Sequence, residues 1–299
     1  MKNPSISGFT ACICLIHACS SASAAVISHG DTSIEIAFVD IGYADNNADT
    51  SGFGSVAYDY LISKYEITSN DWLAVTTADS DIETGSASDP HNGLQPTSEV
   101  SWYEAAKFAN WLTSGDALSG AYKFSDSNTF ISVDRDSAAD IYQTIYVLPT
   151  EDEWYKAAYY KSDGSGYTAY ATGDTIPVSG TDANYRATVG SPAGAAWSVG
   201  DGTEENNGTY DMGGNIWEWT ESAYDGELND PDEIRALRGG YYGNILQSLR
   251  SDKRIGPAPD GEVFSTGFRL ASISIVPEPS STALLSLGSL AVFMRRRRD

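Results

Sequence analysis

Gly208-Thr209-Tyr210-Asp211-Met212-Gly213-Gly214-Asn215-Ile216-Trp217-Glu218-Trp219-Thr220 carries the pattern from which the rest of the chain can be read. Trp217 and Trp219 alternate around Glu218, so an extended strand would put both indole rings on one face and the carboxylate on the other. Two tryptophans on one side mark a core-facing strand, expected over residues 216–220. Gly213 and Gly214 free the backbone to turn and to present carbonyl oxygens. Asp211, those carbonyls and Glu218 are hard oxygen donors, of the kind Ca²⁺ takes at about 2.3–2.6 Å. The same residues admit a second arrangement, in which Glu218 pairs with a nearby arginine and accepts from backbone N–H groups.

Outward from this stretch, short strand signals alternate with long polar turns. Strands are expected over residues 34–39, 58–62, 144–148 and 268–275. Turn-rich chain, dominated by Gly, Asp, Asn, Ser and Thr, fills residues 44–55, 77–97, 161–182 and 190–209. Three helix starts are marked. Ser101-Trp102-Tyr103-Glu104 and Thr150-Glu151-Asp152-Glu153 are capping boxes, and Thr68 caps a shorter helix running to Val75. Asp152 and Glu153 serve the helix N-terminus, where the macrodipole favours negative charge. Asp45-Asn46-Asn47-Ala48-Asp49 imitates half of an EF-hand loop. Thr50 and Val56 stand where that loop needs Gly and Glu, so the segment reads as a polar turn.

In order along the chain, several motifs resemble those of the formylglycine-generating enzyme (sulfatase-modifying factor) family. They are Lys64-Tyr65-Glu66-Ile67-Thr68, Val100-Ser101-Trp102-Tyr103-Glu104-Ala105 with Phe108-Ala109-Asn110-Trp111-Leu112, Leu148-Pro149-Thr150-Glu151-Asp152-Glu153-Trp154, and the opening stretch. Leu237-Arg238-Gly239-Gly240, Arg250-Ser251 with Arg254, and Gly267-Phe268-Arg269-Leu270-Ala271 complete the series. The resemblance spans residues 34–275 and implies a loop-rich, C-type-lectin-related α+β single domain. It also implies a structural calcium site at the Asp211 side chain, the Gly214 and Ile216 carbonyls and the Glu218 side chain. Asn184 and Tyr185 match the start of a second site whose other ligands have no counterpart that can be aligned.

Both ends of the chain read as processing signals. Residues 1–24 combine basic Lys2, an apolar run from Phe9 to Ala18 and the small-x-small site Ala22-Ser23-Ala24, the order of a secretory leader. Residues 25–275 form the body. Residues 276–299 resemble a PEP-CTERM sorting tail: Val276-Pro277-Glu278-Pro279, an apolar helix from Ser280 to Met294, then Arg295-Arg296-Arg297-Arg298. That resemblance implies an exosortase-type protease as partner, transient membrane anchoring through the tail, and a secreted or cell-surface body in a Gram-negative bacterium.

Composition then narrows the chemistry. Cys12, Cys14 and Cys19 all lie in the leader, and only His29 and His91 lie beyond it. The body therefore lacks a cysteine nucleophile, a thiolate metal site and a histidine cluster. A formal charge of −23 argues against nucleic acid, whose phosphates need basic surface.

The resemblance breaks at the residues that perform the family's chemistry. The family oxidase holds copper through two cysteines, the first shortly after the Gly-Gly motif. Here Gly239-Gly240-Tyr241-Tyr242-Gly243-Asn244 places Asn244 there, and the body has no cysteine to serve as the second. Copper(I) needs soft ligands, so no copper is expected. Arg238, Arg250, Arg254 and Arg269 read as buried fold partners. The reading is a non-oxidase binding or structural module of the cell envelope or extracellular matrix, contacting polysaccharide or a surface protein. The competing readings are a formylglycine-generating-type oxidoreductase acting on proteins, and a matrix protein without a specific ligand.

Overall fold

The computed structural model describes residues 22–83, 93–191, 194–227 and 230–274. The leader up to residue 21, the sorting tail and His91 lie outside the described residues. The architecture is α+β, with long irregular segments tied down by side chains.

Strands β1 (Ser23–His29) and β2 (Thr32–Ile41) form a hairpin, turned at Gly30 with φ +57°. β1 was not expected. Its first residues belong to the small-residue run of the leader, yet Ser23 and Ala24 pair with Phe38 and Ala37. β3 (Tyr60–Ser63) pairs with β2, beginning two residues later than expected because Tyr58 and Asp59 stay outside the ladder.

The three capped helices form where the capping residues stand. They are α1 (Ser69–Ala78), α2 (Trp102–Ser114) and, further on, a helix over Glu151–Tyr159. In α2 the Ser101 hydroxyl accepts from the Glu104 N–H at 3.2 Å, and the Ser101 N–H donates to Glu104 Oε2 at 2.7 Å. Gly115, at φ +84°, ends it in the left-handed conformation that glycine adopts without steric penalty. Ala105, Ala106, Phe108, Ala109, Trp111 and Leu112 are all buried, so α2 runs through the core.

Between these lie β4 (Tyr122–Phe124) and β5 (Phe130–Val133), which pair only with each other, then α3 (Arg135–Tyr142), β6 (Thr144–Val147) and α4 (Glu151–Tyr159). β7 (Trp217–Ala223) runs antiparallel to β8 (Arg235–Arg238) and parallel to β9 (Thr266–Phe268), forming a three-stranded sheet. β10 (Ala271–Ser274) joins the larger sheet, whose order is β1-β2-β3-β10-β6.

The single strand expected over residues 268–275 is thus two strands in two sheets. Arg269 and Leu270 are the crossing. The Ser63 N–H donates to the Leu270 carbonyl at 2.7 Å, and the Leu270 N–H donates to Ser63 Oγ at 3.1 Å. The segment 45–49 is the polar turn its sequence suggested. The Asn46 amide donates to the Gly54 carbonyl and Tyr167 Oη, both at 2.7 Å. Trp217 and Trp219 are core residues as expected, but the opposite side of β7 is buried as well, and Glu218 is fully inaccessible.

Candidate functional site

The Gly208–Thr220 stretch turns repeatedly through left-handed backbone before it becomes β7. Asp211 (φ +61°), Gly214 (φ +101°) and Asn215 (φ +56°) all adopt positive φ. For Gly214 this is enforced twice, since a Cβ there would stand 2.4 Å from the Asn184 carbonyl oxygen. The close approach lets the Asn215 N–H donate to that same carbonyl at 2.9 Å.

Asn215, fully buried, is the hub of the site. Its amide nitrogen donates to Glu66 Oε2 at 2.7 Å, while its Oδ1 accepts from the Asn184 amide at 3.1 Å and the Trp197 N–H at 3.0 Å. Asp211 lies beside it. Asp211 Oδ1 accepts from Trp197 Nε1 at 2.7 Å, and Oδ2 from the Gly200 N–H at 2.7 Å. Burial raises the Asp211 carboxyl to about 6, against the lowering pull of these two donors. Burial, and then the charges of Asp211 and Glu218, hold Glu66 well above the ordinary carboxylate range. Glu66 Oε1 is buried with no hydrogen-bond partner.

Of the expected cation ligands, the structure brings Asp211, Gly214, Ile216, Asn184 and Tyr185 into one neighbourhood. Glu218 is corrected. Both its oxygens are taken by Arg269, Nε to Oε2 at 2.6 Å and Nη2 to Oε1 at 2.7 Å. Trp154 Nε1 adds a third bond to Oε2 at 2.7 Å. Its charge is already matched by a guanidinium, unlike that of Asp211, whose two donors are neutral, so the arginine arrangement open in the sequence is the one adopted. Tyr185 is turned away as well: its hydroxyl donates to the Pro177 carbonyl at 2.6 Å, and its own carbonyl accepts from the Ser179 hydroxyl. Among the described residues, no three acidic or histidine side chains converge closely enough to hold a metal by themselves. A cation here would need backbone carbonyls alongside Asp211. Among the described residues, Glu66 Oε1 is a buried acceptor beside this hub that is left for such an ion.

The loop after β8 is fastened to this centre. The Gly214 N–H donates to the Gly239 carbonyl at 3.0 Å, and the Tyr242 N–H to the Asn215 carbonyl at 2.9 Å. Asn244, at the position of the expected first copper cysteine, closes its own loop. Its Oδ1 accepts from the Tyr241 N–H at 3.1 Å, and its carbonyl from the Arg186 N–H at 2.7 Å. Tyr241 lies over Gly243, where an added methyl would stand 2.5 Å from the ring. The same ring packs edge-on against Phe264, with centroids 5.9 Å apart. Among the described residues, no thiol stands in this loop.

The remaining arginines organise two further buried centres. Glu151 is shared by Arg238 and Arg254, each Nε at 2.7 Å from Oε1. Arg135 joins Glu153 and Glu221, both at 2.9 Å. Glu153 also caps α4 by accepting from the Thr150 N–H at 2.6 Å, whereas Asp152 reaches the Gly54 N–H at 2.7 Å in a distant loop. Arg250 departs from expectation: its side chain is partly exposed and meets Asp252, at 3.3 Å, and the Tyr170 hydroxyl.

A five-stranded sheet tied to a three-stranded one, α2 through the core and this glycine-rich turn opening β7 define the class. The chain belongs to the sulfatase-modifying factor enzyme 1-like domain family, matched over residues 21–273. Residues 276–298 carry a PEP-CTERM protein-sorting motif. This motif marks an exported protein, sorted to the surface of a Gram-negative bacterium and processed by an exosortase-type system.

Among relatives, the mouse "Inactive C-alpha-formylglycine-generating enzyme 2" is 38% identical over 74 residues, 23% of this chain. The aligned stretch spans only 23% of that relative's own length. The "Chaperone protein LppX" of Paenibacillus barcinonensis is 25% identical over 220 residues, 67% of this chain and 72% of the relative. The solved structure of Treponema denticola variable protein 1 superposes with TM-score 0.58 at 22% identity, over 84% of this chain and 98% of that one. That likeness establishes the fold alone. Among the described residues, no helix is long and apolar enough to cross a membrane.

Proposed function

We propose that the protein is a non-oxidase binding or structural module of the cell envelope or extracellular matrix. The observation that carries this reading is Asn244: a hard, neutral side chain at the expected cysteine position, engaged in closing its own loop beneath Tyr241. Two relatives are consistent with it. One is named an inactive enzyme, and the other, aligned over most of its length, is named a chaperone. The partner classes that suit such a module are an extracellular polysaccharide or another surface protein, with the C-terminal tail anchoring the chain transiently before the sorting protease acts. The test has two arms. The purified protein is screened on glycan and surface-protein arrays, and is incubated with a Cys-x-Pro-x-Arg peptide, copper and O₂. Saturable binding without aldehyde formation is the expected result, and aldehyde detected by mass spectrometry would overturn the reading.

A structural calcium ion belongs to the same proposal. Its ligands would be Asp211 and the Gly214 and Ile216 carbonyls, with Glu66 replacing Glu218. The unpartnered, buried Glu66 Oε1 supports this assignment. The ion would tie the turn before β7 to the α1 entry and has no part in a reaction.

A further inference from the structure

A second feature lies at one end of the five-stranded sheet, away from the Tyr241–Asn244 loop. There a cleft of about 930 Å³ opens between the ends of β2, β3 and β10, the segment after α4 and the loop 204–208. Its volume is that of a ligand site, typically about 300–1,000 Å³. Among the described residues its lining holds three exposed or half-exposed carboxylates, Asp40, Asp59 and Glu204, with the buried Glu205 behind them, and no lysine or arginine. Lys64 offsets Glu204 from outside at 3.2 Å, and the buried Lys156, whose Nζ donates to the Tyr43 carbonyl at 2.9 Å, lies in the field of Asp59 and offsets part of its charge.

Three properties point to a ligand. Glu205, only 6% exposed, lines the cleft, and its Oε2 accepts from the Thr209 hydroxyl at 2.9 Å and the Met212 N–H at 3.3 Å. Burial raises this carboxyl to about 8, so near neutral pH it is protonated and offers the cleft a hydroxyl donor. Next, Tyr43 and Tyr160 form an aromatic corner with ring centroids 5.8 Å apart. Tyr43 is fixed there, its hydroxyl donating to the Ser162 carbonyl at 3.1 Å. Such amphipathic rings present an apolar face together with a polar edge. Finally, Asn207 donates its amide to the Ala157 and Tyr160 carbonyls at the end of α4, at 2.9 and 2.7 Å. Its carbonyl oxygen is thereby left as a further acceptor.

An aromatic corner with acceptors in excess of donors suits a polyhydroxylated ligand. The acidic lining selects against uronate or sulfate and in favour of a cation. We propose that this cleft binds an amine-bearing carbohydrate, a deacetylated hexosamine chain whose ammonium groups meet Asp40 and Asp59. The proposal rests on the binding-module reading and names its ligand class.

Calorimetric titration of the purified protein with a glucosamine hexamer, its N-acetylated counterpart and a uronic-acid oligomer tests it. The glucosamine hexamer is expected to bind, with affinity falling as salt rises. The acetylated chain should bind at least about tenfold more weakly, the size of one charge-assisted hydrogen bond. Asp40→Asn, at an exposed position where folding is not at risk, should weaken the glucosamine hexamer by a similar factor, and Asp40→Asn with Asp59→Asn further. Equal binding of the acetylated chain, binding of the uronate, or an unchanged affinity in Asp40→Asn would overturn the assignment. Binding of other surface glycans or proteins without the glucosamine hexamer would overturn it while leaving the module reading intact.

Discussion

Arg269 meets Glu218 through two parallel hydrogen bonds of 2.6 and 2.7 Å, and neither side chain has any solvent exposure. The guanidinium also donates to the Ser63, Lys64 and Tyr210 carbonyls at 3.1, 3.3 and 2.8 Å. One side chain thereby joins β7 of the smaller sheet to the end of β3 in the larger. Removing one partner leaves an uncompensated buried charge, which costs about 3–5 kcal/mol. Arg269→Leu should therefore lower the urea midpoint sharply. The double variant Glu218→Met with Arg269→Met should recover much of that loss, because replacing both charges by apolar groups of similar volume is often close to neutral.

Gly214→Ala should be far more damaging than Gly180→Ala. Both positions have positive φ, +101° and +75°, so each substitution carries the left-handed penalty of about 1–2 kcal/mol. Only at Gly214 does the new methyl also meet backbone, 2.4 Å from the Asn184 oxygen, whereas nothing stands within 4 Å at Gly180. Thermal denaturation of the two variants side by side would show it, and equal melting temperatures would contradict the packing described.

Chelation should lower the melting temperature if calcium occupies the Asp211 neighbourhood. An ion present at a hundred times its Kd adds about 2.7 kcal/mol to the folded state. Asp211→Asn should abolish the response to chelator, and Glu66→Gln should weaken it. A melting curve indifferent to chelator in the wild-type protein would remove calcium from the proposal.

The pH dependence of stability has a definite sign at Glu205. Burial raises its carboxyl to about 8, outweighing the lowering by Arg269 and by its hydrogen bonds. A folded value above the unfolded one means that folding takes up a proton between the two. The associated stability is complete below the ordinary carboxylate value and is lost as pH rises towards about 8. Glu205→Gln should flatten that part of the stability profile. Denaturant titrations from pH 5 to pH 9 on the two proteins would reveal the difference.

Local rules reached some of this molecule and not the rest. The helices α1, α2 and α4 were legible because capping is a matter of residues three apart, and Thr68, Ser101 and Thr150 do what their spacing requires. α3 was missed because Arg135-Asp136-Ser137-Ala138-Ala139-Asp140 offers little apolar periodicity, and only Ala138 and Ala139 are buried. β1 was hidden because its first residues, Ser23 and Ala24, read as the end of an expected leader. The division of residues 268–275 between two sheets leaves no mark in an alternating pattern, since that pattern states burial and not which neighbour provides it. At the site, Asp211 and Glu218 stood out by residue type. Asn215 as a hub, the orphaned Glu66 and the Trp197 donor did not, because their roles come from contacts across 149, 18 and 14 residues of chain.

The place of β10 sets the order in which an exported chain of this kind can mature. β10 lies between β3 and β6, so the larger sheet remains in two halves until residues 271–274 arrive. Arg269, just ahead of it, brings the charge that Glu218 lacks until then. A chain that emerges from its N-terminal end would thus stay without this interior strand and its buried ion pair until almost all of the body has emerged. Locking of the two sheets to each other therefore waits on the last few residues ahead of the sorting motif.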